Sequence, residues 1–124
     1  MDEQTQYCFI GEARSKRAIK MGVTWVDGRL SAKSLFDALK AIGVCPHKQI
    51  YLNSSTNNVA TIRLLSEEII LVAMGAKAQN RLRQWGIDKF ISVIHPAARG
   101  SIRLKANYIA HIKDALERGV VLHG

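Results

Sequence analysis

Ile69-Ile70-Leu71-Val72-Ala73-Met74-Gly75 is the most apolar stretch of the chain, a run with no polar side chain closed by a glycine. A strand wetted on one side alternates apolar and polar residues. An unbroken run of this length marks a strand buried on both faces, as in a parallel sheet covered by helices. Two more runs share that build: Tyr7-Cys8-Phe9-Ile10 before Gly11, and Phe90-Ile91-Ser92-Val93-Ile94 before His95. A shorter one, Gln49 to Leu52, ends at Asn53.

Helical patterns fill the intervals. Ser31 to Ile42 carries Leu35, Phe36, Leu39 and Ile42 on one stripe, with Lys33, Asp37 and Lys40 off it and Gly43 placed as the C-terminal cap. Val59 to Leu65 reads as a short helix, and Ala76 to Trp85 as a longer one with Leu82 and Trp85 inward. Ser101 to Arg118 reads as the last helix, with Ile102, Tyr108, Ile109, Ile112 and Leu116 on its core side. Glu12 to Gly28 is a basic loop with room for a helical turn at Lys16 to Met21. Strands alternating with helices imply a single three-layer α/β/α domain. Its central sheet is four-stranded and mostly parallel, with Ile69 to Met74 in the middle. That domain is expected to span 1–124, with Met1 to Gln6 a frayed start.

The bulk properties narrow the function. A chain of 124 residues, 48% of them hydrophobic, is enough for one buried core and too short for two. Eighteen Lys and Arg against ten Asp and Glu give a charge of +8, which favours a polyanionic partner such as DNA. Cys8 and Cys45 are too few for an iron–sulfur cluster or a zinc ribbon, so no metal and no cofactor are expected. Cys8, inside a strand, reads as a buried free thiol. The polar, acidic start is unlike a signal peptide, and no apolar run approaches the roughly 18 residues that cross a bilayer. A cytoplasmic protein is the expectation, with a monomer favoured.

The strand ends carry the chemistry. In an open α/β sheet ligands bind beyond the carboxyl ends of the strands. Glu12, Asn53 and His95 each follow a strand, so an acid, an amide and an imidazole far apart in sequence are expected at one cleft.

These motifs, in this order, resemble the uracil-DNA glycosylase superfamily, in particular its thermostable, family-four-like branch. That branch begins Gly-Glu-Ala-Pro-Gly, and this chain has Gly11-Glu12-Ala13-Arg14-Ser15. Its next motif, Gly-x-Pro-Phe, resembles Gly22-Val23-Thr24-Trp25, which puts Trp25 thirteen residues after Glu12. A strand ending in Asn resembles Tyr51-Leu52-Asn53; a strand, Gly and helix resemble Met74-Gly75-Ala76; and His-Pro-Ser resembles His95-Pro96-Ala97. The likeness runs from about Tyr7 to Leu116. Arg14 and Ser15 depart from the Pro and Gly of the first motif, the four cluster cysteines are missing, and the connection from Asn53 to Ile69 is short. The likeness is therefore to a reduced relative, one with a different target base or a lost activity.

The resemblance implies a division of labour in cleaving an N-glycosidic bond, which leaves a cationic sugar and an anionic base flipped out of the stack. Glu12 would polarise water and meet the sugar's charge. His95 would donate a hydrogen bond to the base oxygen that becomes anionic. The amide of Asn53, donor and acceptor at once, would read a pyrimidine edge. Trp25 would stack on the extruded base, an interaction of about 1–3 kcal/mol, or else pack in the core. The loop before the last helix, with Arg99, Ser101 and Arg103, would hold DNA phosphate, as would Arg14, Lys16 and Arg17 across the cleft. Arg99 falls nearest the position of the family's wedge residue. His47, His111 and His123 have no ligand-like spacing and receive no role. Two alternatives stay open: a non-catalytic DNA- or base-binding module on the same fold, and a nucleotide-processing α/β enzyme. The second is disfavoured because Gly11-Glu12-Ala13 lacks a phosphate-loop glycine pattern.

Overall fold

The apolar runs form a parallel sheet in a computed structural model, which describes residues 6–12, 16–22, 31–55, 59–96 and 105–123. The strands are β1 (Tyr7–Gly11), β2 (Ile50–Asn53), β3 (Ile70–Met74) and β4 (Ile91–Val93), and the helices are α1 (Lys16–Met21), α2 (Ser31–Ala41), α3 (Val59–Ser66), α4 (Ala76–Gln84) and α5 (Lys105–His123). All strand pairs are parallel, in the order β2-β1-β3-β4. The "mostly parallel" expectation is thus met in full, and the centre is shared: β1 lies inside the sheet beside β3.

Side-chain alternation builds the two outer layers. Tyr7, Phe9, Val72, Met74, Ile91 and Val93 point to one face, where they meet Leu35, Ala38 and Leu39 of α2 and Tyr108, Ile112 and Leu116 of α5. Cys8, Ile10, Leu71 and Ala73 point to the other, against Ile62 of α3 and Ala78 and Leu82 of α4. Each Val, Leu, Ile, Phe or Met among them contributes about 1.5–3 kcal/mol when fully buried. The chain steps from β1 outward to β2, then crosses back over β1 to β3 and on to β4. Reversing direction with right-handed crossovers requires the connecting helices to change faces, as α2 and then α3 and α4 do. The reversal makes a switch point between the ends of β1 and β3, where the crevice of such a sheet opens.

Local chemistry sets the edges. α2 stops at a Schellman motif, with Val44 N–H donating to Leu39 C=O (2.9 Å) and Gly43 N–H to Lys40 C=O (3.2 Å). A 3₁₀ turn at Pro46–Lys48, a segment to which the sequence assigns no element, precedes β2. The Tyr51 hydroxyl donates to Pro46 C=O (2.7 Å) and holds that turn. The Gln49 side chain accepts from Tyr7 N–H (2.7 Å) and so ties the turn to the start of β1. α5 runs to His123, five residues past the expected end at Arg118. Lys16 to Met21 does form a short helix.

Candidate active site

The site begins where the ladder between β1 and β2 outlasts the strands. Gly11 pairs with Asn53 in register. Beyond it Ser54 N–H donates to Gly11 C=O and Ser55 N–H to Glu12 C=O, both at 2.8 Å, while the Ser54 hydroxyl approaches Glu12 C=O at 3.4 Å. These bonds fix the main chain of Glu12 at the switch point. Its side chain is half-buried, and Asn53 beside it is 9% exposed.

The other half is built around Gly75. Its φ of +88° and ψ of 161° lie in a region essentially reserved for glycine. That conformation lets β3 turn at once into α4. Gly75 N–H still donates to Val93 C=O (2.9 Å), and Gly75 C=O accepts the first helical bond, from Gln79 N–H (3.1 Å). The Gln79 side-chain amide donates to Val93 C=O (3.1 Å) and Ala73 C=O (3.3 Å), joining the ends of β3 and β4. A Cβ on Gly75 would stand 3.2 Å from the Cβ of His95, so His95 is seated against the glycine.

α5 completes the seat from the opposite layer. Ile94 N–H donates to His111 Nε2 (2.9 Å), and the Tyr108 hydroxyl donates to Ile94 C=O (2.9 Å). An Nε2 that accepts a bond is unprotonated, so His111 is the neutral Nδ1–H tautomer. Burial raises the Tyr108 pKa and keeps that hydroxyl a donor. Burial also lowers the pKa of His95, which leaves its imidazole neutral at pH 7 with one N–H to donate. For His111 burial lowers the pKa first, with the Asp114 carboxylate raising it and the Arg118 guanidinium lowering it.

A cleft of ≈ 480 Å³ opens here, lined by Gly75, Gln79, Ser92, Ile94, His95 and His111 among others. Its walls include His95 but neither Glu12 nor Asn53. Those two stand two and three strands away along the same sheet end, roughly 10 and 14 Å at the usual strand spacing. Asn53 and Glu12 are therefore on adjacent strands, and His95 follows β4 at the same end of the sheet. Lys16 and Arg17 open α1. Arg14, Trp25, Arg99, Ser101 and Arg103 lie outside the described residues.

Sequence reasoning passed over Gln79, gave His111 no role, placed Tyr108 only in the core and read Gly75 as the residue that ends a strand and opens a helix. The one available signal was spacing. Tyr108 and His111 are three apart, next to Ile112 on the buried stripe of α5, and a polar group on such a stripe requires a partner. Cys8 is free and buried, its thiol pushed up to about 12 by burial, so it is no nucleophile. Among the described residues no helix is long and apolar enough to cross a membrane, and no three His, Cys, Asp or Glu are grouped to hold a metal.

A doubly wound parallel sheet with an acid, an amide and a neutral imidazole beyond its strand ends defines a ligand-handling α/β domain of the open-sheet class. The family model of the uracil DNA glycosylase superfamily matches residues 1–117, and the chain belongs to that superfamily. Its members are DNA glycosylases, hydrolases that act on DNA. No curated protein matches the chain.

Proposed function

We propose that the chain, as one domain, hydrolyses the N-glycosidic bond of a uracil-like or modified pyrimidine flipped out of DNA into the strand-end cleft. The observation that carries this is the register. It sets Asn53 against Gly11 and Val93 against Met74, so Glu12, Asn53 and His95 leave the sheet at one end. The gap between Glu12 and His95 suits a planar ring with its sugar. Asn53 reads the base edge, Glu12 directs water and opposes the positive sugar, and the neutral His95 donates to the base oxygen as charge builds there. None of these three roles needs a metal. Arg14, Lys16, Arg17, Arg99, Ser101 and Arg103 are proposed to bind DNA phosphate, and Trp25 to stack on the base.

Single-turnover assays on oligonucleotides carrying uracil, hydroxymethyluracil or other modified pyrimidines, scored for abasic sites, test the proposal. Wild type yields abasic product on at least one. His95→Ala lowers that rate by about 10²–10³-fold, the usual loss for one donor to a developing oxyanion. Glu12→Gln lowers it with DNA affinity nearly intact. Wild type that binds these DNAs and yields no abasic site on any of them refutes the enzyme and leaves a binding module.

A further inference from the structure

We propose that Tyr108 and His111 are positioning residues: from α5 they clamp the Ile94 peptide and so set where His95 meets its substrate. The proposal rests on the glycosylase reading for its rate consequences, but the clamp itself is a matter of geometry.

β4 is short and at the sheet edge, so among the described residues no neighbouring strand holds its outer side past Val93. A loop leaving such an edge would sample many positions. Instead both main-chain polar groups of the residue immediately before His95 are taken by side chains three residues apart on α5. His111 Nε2 accepts from Ile94 N–H and the Tyr108 hydroxyl donates to Ile94 C=O, each at 2.9 Å. Both leave a packed stretch of α5: Tyr108 is 4% exposed, and the residue after the half-buried His111, Ile112, is fully buried. From the opposite layer Gln79 fixes Val93 C=O. The residue before His95 is therefore held on both its N–H and its C=O, and His95 inherits that placement. Ile94 itself is 40% exposed, so its side chain does little to anchor the segment. The hydrogen bonds do.

The variants are chosen to preserve packing. Tyr108→Phe removes one oxygen and no charge. His111→Ala removes the acceptor, and His111→Gln restores one at nearly the same reach. Single-turnover cleavage should fall about tenfold in Tyr108→Phe and in His111→Ala, and towards about 10²-fold in the double variant, the scale of a small misplacement of a reacting group. DNA affinity should stay within twofold, and His111→Gln should recover most of the rate. The second measurement is an NMR titration of the His95 ring. In wild type it titrates below the ordinary 6.5 because it is buried. In Tyr108→Phe, where no charge has changed, it should move up towards that value as the loosened loop admits water. Rates equal to wild type in an active protein, or no rescue by His111→Gln, overturn the clamp. If wild type makes no abasic site on any substrate, the glycosylase reading fails by itself. The titration then decides the clamp alone, and an unchanged His95 in Tyr108→Phe overturns it.

Discussion

Replacing Gly75 by Ala tests whether the backbone at the end of β3 seats His95. At φ +88° and ψ 161° a side chain is strained whatever the surrounding space, at about 1–3 kcal/mol. The added Cβ would also lie 3.2 Å from the Cβ of His95, closer than ordinary van der Waals contact. A 124-residue domain loses roughly 3–6 °C of melting temperature per kcal/mol, so Tm should drop by about 3–18 °C. The strain has two outlets. Either Gly75 relaxes and gives up its bond to Val93 C=O, or His95 moves away; both shift the imidazole. Single-turnover cleavage, measured well below the variant's Tm, should therefore fall by about 10²-fold with DNA affinity held. Gly43→Ala is the control. Gly43 also has a positive φ, +82°, but nothing lies within 4 Å of its Cβ position, so this change should lower Tm and leave the rate alone. If Gly75→Ala melts lower yet cleaves like wild type, His95 is not seated by the glycine.

Three further outcomes are expected. Asn53→Asp keeps the shape of the side chain but exchanges a donor for an acceptor. Discrimination between pyrimidine edges should shift by about 1–3 kcal/mol, read as the ratio of cleavage rates on two bases. Stability should fall on acidification. The folded pKa values of His95 and His111 both lie below the ordinary 6.5, so the unfolded chain takes up protons first. Their contribution is full above 6.5 and is lost as the pH falls from there towards the folded values; a urea midpoint that holds steady from pH 7 down to 5 contradicts the burial of the two rings. DNA affinity should drop steeply with salt, because a charge of +8 acts by releasing counterions, and a salt-independent Kd refutes the electrostatic part.

The strands were legible because parallel strands buried on both faces leave apolar runs that few other structures produce. Their ends were less so. β4 is Ile91–Val93 rather than Phe90 to Ile94; at its far end the reason is visible, because the main-chain N–H and C=O of Ile94 are taken up by His111 and Tyr108 of α5 and do not join the ladder. The 3₁₀ turn at Pro46–Lys48 has no periodicity to betray it; it depends on contacts from Tyr51 and Gln49, which are fixed only when β2 docks. Glu12, Asn53 and His95 could be picked out because position after a strand is a local property. Gln79, Tyr108 and His111 could not, because their partners are 14 to 17 residues away and the pairing depends on how α4 and α5 lie over the sheet.

The two ends of the proposed site are held by different means. The main chain at Glu12 and Asn53 is tied by backbone bonds between β1 and β2 and by their extension through Ser54 and Ser55. His95 is placed by side chains and one glycine, so its geometry is as vulnerable as its chemistry. In the glycosylase mechanism proposed above, the reason to hold an uncharged imidazole firmly lies in when it would act. A cation at that position would attract the DNA backbone before, during and after the reaction, adding to a binding that the chain's +8 charge already favours. Such uniform attraction does not raise the rate. A neutral imidazole gives a weak hydrogen bond to the ground-state carbonyl and a stronger, charge-assisted one once the departing base becomes an anion. Only the difference between the two accelerates cleavage, and it is realised only if the N–H already points where the charge will appear.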